Sequence, residues 1–171
     1  IKTQVVELTL QNYPTRIDTQ GNVRPHNQIT LNSEVSGRII ELHPNFEDGA
    51  FFNRGDILVT IDPADFKAAV LTAEAQLARM TAAYDMEKAQ AQQAKENWER
   101  FESDEEPDDL VLRLPQLREA EANMNAASAG LERAVRNLER TQIKAPFNGR
   151  VRERNVGLGQ AIRINSPLGI M

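Results

Sequence analysis

Side chains able to do chemistry are sparse in this chain and mostly scattered. The two histidines, His26 and His43, lie far apart, and there is no cysteine, so neither a thiolate site nor a disulfide can form. Metal capture needs several ligands converging at a suitable spacing. Neither histidine has such company, and the four methionines are too dispersed to make a soft-metal site. No Ser-His-Asp set, glycine-rich phosphate loop or carboxylate pair stands out. The expectation is a protein without catalysis, cofactor or metal. "RGD" at Arg54–Asp56 reads better as a turn before a strand than as an adhesion tripeptide. The one dense cluster is "ESDEEPDDL", with Glu102, Asp104, Glu105, Glu106, Asp108 and Asp109, flanked by Arg100 and Arg113 and joined by Leu110 and Leu112. Its chemistry is that of contact. A guanidinium offers a planar fork to carboxylates or carbonyls, the leucines offer apolar surface, and the acids suit a basic partner. The same acids also suit a plain solvated turn, and both readings stand.

These residues must be positioned by elements, and three textures follow one another. Residues 1–62 read as strands: "TQVVELTL", "YPTRIDTQGNV", "QITLNSEVSGRIIEL" and "DILVTI", with turns at Ser36-Gly37, Asp48-Gly49 and Asn53-Arg54-Gly55. Residues 63–142 carry a helical seam. It runs Phe66, Val70, Ala73, Leu77, Met80, Tyr84, Glu87, Ala91, Ala94, Trp98, Phe101, and only Glu87 is polar. Steps of four and three sustained this long predict a coiled coil. Asp62-Pro63 starts it with a cap residue before a proline. The return arm has its own seam at Leu117, Ala120, Met124, Ala127, Leu131, Ala134, Leu138 and Thr141. The reversal is placed at about residues 103–108. A return helix starting near Asp108 gives matched arms of about 38 and 35 residues, each about 55 Å long. That choice leaves Pro115 as a kink inside the second helix. A start at Pro115 avoids the kink and leaves the arms unequal; the matched version is preferred.

Residues 143–171 return to the β texture and repeat the first half. With Gly149-Arg150 set on Gly37-Arg38, Ile143 falls on Leu31, Phe147 on Val35 and Val151 on Ile39. After a two-residue gap, "VGLGQAIRINSPLGIM" falls on "FEDGAFFNRGDILVTI". Neither half can bury its apolar face alone, so the halves are expected to pair, with Pro63 and Gln142 as neighbouring feet. Val35, Ile39, Leu58 and Ile61 should pack against Ile143, Phe147, Val151, Ile162 and Leu168. Charged residues make up 26% of the chain and aromatics 5%, as expected where much helix is exposed. A net charge of -5 argues against nucleic acid as a partner. No run of about 18 apolar residues exists to span a membrane. The chain opens without a signal peptide and is read as a processed or trimmed piece of something longer.

Two halves of a V-x-G-x-I pattern flanking a coiled coil, with "NFEDGAFFNRGDILVTIDPADF" in the first and "NLERTQIKAPFNGRV" in the second, resemble a periplasmic adaptor. These membrane fusion proteins of the HlyD-like group serve RND-type efflux pumps, and the resemblance covers nearly the whole chain from about Val5. It implies an α+β fold: a split lipoyl-like (biotinyl-lipoyl) β domain with a long inserted antiparallel helical hairpin. Residues 1–28 would be strands of incomplete membrane-proximal and β-barrel domains, 29–62 and 143–171 the two lipoyl-like halves, and 63–142 the hairpin. The resemblance further implies a non-enzymatic link between an inner-membrane transporter, RND most of all, and a TolC-like outer-membrane channel. The place would be the periplasm, anchored to the inner membrane in the full-length protein, with self-association into a hexamer. Hairpin tips in such adaptors often carry an arginine, a leucine and then a serine. Arg100 fits the first and Leu110 or Leu112 the second, but no serine follows, and Ser103 lies on the wrong side of the turn. Arg100, Leu110, Leu112 and Arg113 are the implied partner-binding residues. Lipoyl and biotinyl domains modify a lysine on the turn between their halves. The hairpin replaces that turn here, and Lys67 and Lys144 stand at its feet, so no such modification is expected. An adaptor of an ABC-type exporter or type I secretion system is the alternative, and a lipoyl or biotinyl carrier domain a distant one.

Overall fold

The computed structural model describes the chain apart from residues 8, 9, 11, 13, 23 and 101–106. Among the described residues, nine short strands build the β body: β1 (Thr30–Asn32), β2 (Gly37–Leu42), β3 (Phe51–Phe52), β4 (Ile57–Ile61), β5 (Gln142–Lys144), β6 (Gly149–Arg150), β7 (Glu153–Arg154), β8 (Ala161–Ile162) and β9 (Pro167–Ile170). Helices α1 (Ala64–Glu99) and α2 (Leu114–Glu139) stand between β4 and β5. Neither helix is long and apolar enough to cross a membrane.

The repeat in the sequence is a repeat in the pairing. The sheet orders are β1-β9-β7, β5-β4-β2-β8 and β3-β6, so each half is stitched to the other. Gly37 lies opposite Ile162, and its counterpart Gly149 lies opposite Phe52. Leu31 pairs with Gly169, and its counterpart Ile143 with Val59. Even single bonds recur: Ile39 N–H donates to Gln160 O and Val151 N–H to Ala50 O, both at 2.9 Å. The matching glycines allow this approach. A Cβ on Gly37 would lie 2.5 Å from Cγ2 of Ile61, and one on Gly149 would lie 2.9 Å from the Phe52 ring. Gly49 and Gly159 both turn the chain with φ near +80°, at +84° and +80°.

The core lies between the halves, as the repeat predicts. Val35, Ile39, Leu58 and Ile61 from the first half and Ile143, Val151, Ile162 and Leu168 from the second share one buried cluster. Phe147 is the exception. It is only partly buried, its ring 6.0 Å from that of Phe52. The aromatic at the centre is Phe46, 1% exposed, and its counterpart in the repeat, Val156, is buried with it.

Strands expected over residues 1–28 do not form among the described residues there, which are exposed. A run rich in Val, Leu and Thr becomes a strand only through a ladder with a neighbour, and none of the nine strands pairs with it. The chain joins the β body at Ile29, which exchanges backbone hydrogen bonds with Met171 at 2.8 and 3.0 Å. Nearby, Arg152 donates to Oε1 of Gln28 at 2.8 Å.

The helices pair as the seams require. Every described seam residue of α1 and of α2 is at least half-buried among exposed neighbours. Their feet are joined where Ile61 N–H donates to Thr141 O at 2.8 Å. Helix α1 starts one residue later than expected. Pro63 is its N-cap, and the Asp62 carboxylate accepts the N–H of Ala64 at 3.0 Å. The matched-arm expectation is wrong: α1 has 36 residues and α2 has 26, about 54 and 39 Å. Pro115 decides this. It has no N–H to donate, and its ring clashes with the carbonyl four residues back, so a helix begun near Asp108 cannot run through it. The structure places it in the first turn of α2, where its missing donor is harmless. Residues 103–106 of the expected reversal lie outside the described residues.

Two stability outcomes follow from this core. In urea denaturation of the chain, Phe46→Ala loses about 3–5 kcal/mol, whereas the half-buried Phe147→Ala loses about half as much. Equal losses at the two positions would mean that the packing is misassigned. Gly37→Ala drives a methyl into Ile61 and destabilises by about 1–3 kcal/mol, while alanine at Gly130, where nothing lies within 4 Å, is neutral or mildly stabilising.

Candidate functional site

The unequal arms shape the far end of the hairpin. Because α1 outruns α2 by about 15 Å, the returning chain must travel back beside it before α2 can start. Part of that return is a single helical turn. Val111 and Leu112 donate to Asp108 O at 2.9 and 3.2 Å, Leu114 donates to Asp109 O at 3.0 Å, and the Asp108 carboxylate accepts the N–H of Leu110 at 3.3 Å. Asp108 therefore closes an isolated turn, and the helix start expected near it does not form. The turn stops at Arg113, whose backbone is left-handed at φ 57°. A non-glycine residue held there costs about 1–2 kcal/mol, so something must hold it.

That something is Glu87. Its Oε1 accepts from Nε and Nη2 of Arg113 at 2.7 and 2.6 Å. The Glu87 side chain is 17% exposed. The lone polar residue of the α1 seam thus has a definite partner. Asp109 is also bonded, to Arg118 at 3.2 Å across an exposed surface, a contact worth little by itself.

The four implied contact residues separate into distinct situations. Arg100 is the exposed C-cap of α1, its N–H donating to Asn97 O at 3.2 Å. Leu110 is 63% exposed on the crown of the short turn. Leu112 is half-buried and turns back toward α1. With Ala91, Leu114 and Leu117 it lines an apolar groove of about 520 Å³ rimmed by Lys88 and Lys95. Ala91 is the buried residue of α1. Arg113 is engaged by Glu87. Val111, 46% exposed beside Leu110, was missed. Its signal was available, because an apolar residue two before Arg113 and off both seams has nothing to pack on within the hairpin. Glu102, Asp104, Glu105 and Glu106 lie outside the described residues.

The near end is braced instead of open. Arg140 Nε bonds Oε2 of Glu34 at 2.8 Å, linking the end of α2 to the β body, and Thr141 Oγ1 donates to Leu138 O at 2.6 Å within that end. The "RGD" triplet is the turn before β4. Gly55 has φ 91°, Arg54 N–H donates to Oδ1 of Asn148 at 2.6 Å, and Asp56 accepts the N–H of Asn53 at 2.8 Å. Lys67 lies in the first turns of α1 and Lys144 in β5.

Residues 27–171 match a family model described as "RND MFP, barrel-sandwich hybrid domain". Among curated proteins, the chain is 36% identical over 150 residues to the uncharacterized protein YdhJ of Escherichia coli K12, covering 86% of this chain and 50% of YdhJ. It is 32% identical over 173 residues to the multidrug resistance protein MdtA of Salmonella heidelberg, covering 98% of this chain and 40% of MdtA. The chain thus spans about half or less of these relatives. Among solved structures, a MacA-MexA chimera containing the Pseudomonas aeruginosa MexA α-hairpin domain superposes with TM-score 0.60 at 26% identity, covering 85% of this chain and 47% of the chimera. A β body built from two interlocked halves with a helical hairpin between them, matched over most of its length, places the chain in the RND membrane-fusion-protein family, as its barrel-sandwich hybrid domain with the inserted hairpin.

Proposed function

We propose that this chain is the lever-bearing part of a periplasmic adaptor that links an inner-membrane RND transporter to a TolC-like outer-membrane channel in a tripartite efflux pump. The adaptor works as a hexamer, without enzymatic chemistry. The full-length protein is held at the inner membrane, and residues 1–28 lead into its further domains. The family membership supports this reading, as does the relation to MdtA, named as a multidrug resistance protein. One observation carries it: the turn before α2, packed beside α1 through Leu112 and Arg113, holds Leu110 and Val111 exposed, and Arg100 caps the 36-residue α1 beyond it. Apolar side chains exposed on the outer part of a long helical hairpin are placed for contact with another protein. Arg100 adds a fork for carboxylates or carbonyls. Leu112 contributes by holding the turn against α1, and Arg113 by holding its backbone.

The full-length protein with Arg100→Asp and Leu110→Asp tests the reading. Helix content, melting temperature and transporter binding should stay at parent values, since neither side chain packs in a seam. Co-purification of the channel should fall by about tenfold or more, the loss expected for one good apolar anchor and one arginine, and drug resistance in a deletion strain should go with it. Resistance that survives at native expression would sink the docking role of this end.

A further inference from the structure

We infer that Glu87 and Arg113 are positioning residues: their ion pair locks the hairpin register and fixes the attitude of the turn Asp108–Leu112. The inference rests on the reading that this turn docks a partner, and deepens it. Three observations converge. First, Glu87 occupies a seam position that an apolar residue would fill at no penalty. A half-buried carboxylate there is tolerated only with a partner, and it finds one bonded through two nitrogens, at 2.6 and 2.7 Å. Second, the partner sits at the most constrained point of the loop. Arg113 is the N-cap of α2, has φ 57° and makes no side-chain cap bond. A cation at a helix N-terminus opposes the dipole, and the first turn of α2 has no acidic residue to offset it. Glu87 supplies that missing negative charge from the other helix. Third, the polar layer extends beyond the pair. Gln116 lines the same cavity of about 300 Å³ as Glu87. Its Oε1 is buried with no hydrogen-bond donor among the described residues.

A half-buried ion pair against an otherwise apolar seam specifies alignment, because sliding one helix by a heptad leaves Glu87 and Arg113 unpaired. Here the alignment has a second effect. The bonds that shape the turn end at Arg113 and Leu114, so fixing Arg113 on α1 fixes the direction in which Leu110 and Val111 point.

Amide hydrogen exchange on the full-length protein tests this without reference to any partner. With Glu87→Leu the seam becomes fully apolar. Melting should hold or rise, yet exchange at Val111, Leu112, Arg113 and Leu114 should quicken by roughly tenfold, the effect of one lost charge-assisted bond. Amides near Val70 and Ala134 should keep their protection. Exchanging the charges, Glu87→Arg with Arg113→Glu, should restore slow exchange at the turn. A turn as protected in Glu87→Leu as in the parent would overturn the lock, as would a charge exchange that fails to restore it while Glu87→Gln behaves like the parent. Channel co-purification is the second arm. If the turn loosens in Glu87→Leu and co-purification is unchanged, the docking reading fails and the lock stands; if both are lost together, both hold.

Discussion

Each β half of this chain is bonded to the other half more than to itself, and the rest of the molecule follows from that constraint. Strands of two to six residues cannot hold a sheet alone, and their inward faces are too small to close a core. Interlocking them removes both problems. Leu58 and Leu168, counterparts in the repeat, are both fully buried, each covered by the other half. The condition is that the two segments be held together, although long stretches of chain separate them. The bond from Ile61 to Thr141 meets that condition at the feet of the helices, and the exchange between Ile29 and Met171, their counterparts in the repeat, meets it again.

The hairpin inherits its geometry from those feet. Once Ile61 and Thr141 are neighbours, α1 and α2 leave the body side by side, and their contacts are local along the pair. Stability per turn is modest, because a seam of alternating large and small residues half-buries what it covers. The far end therefore depends on particular contacts. Pro115 forbids a continuous return helix, Asp108 caps the short turn that replaces it, and Glu87 secures the left-handed residue at which the two helical directions meet. A hairpin of equal arms would need none of these.

The parts of this structure written periodically were legible in the sequence. Both seams and the doubled β pattern repeat a physical requirement many times over, so single exceptions do not hide them. What was not legible depended on single events. Phe46 lies between turn residues with no alternation around it, so its burial left no local signal; only its place opposite Val156 in the repeat pointed to it. Phe147 sits in a conspicuous motif and was taken for the buried ring, but burial is decided by the neighbour, and Phe52 leaves it half in water. The N-terminal runs have strand composition without a strand partner. At the hairpin end, Pro115 was recognised as a conflict and resolved in favour of symmetry, although the proline ring is the stiffer constraint. Glu87 stood out as the polar exception, but its partner lies on a turn whose backbone handedness no residue type announces. The four implied contact residues form a cluster in sequence; that they divide into exposed, folded-back and engaged side chains is a property of three-dimensional placement alone.

The bond between the two feet also makes the β body a socket. Closing the chain between Ile61 and Thr141 costs an entropy that rises only slowly with the length inserted, about 0.6 kcal/mol for each doubling. The insert needs only to present two antiparallel helical ends in phase with the seam. Whole heptads taken from or added to both arms satisfy that condition, so reach is a dimension that can drift across generations while the body stays as it is. A hairpin so mounted is a replaceable part, and its length can change without redesign of its mounting.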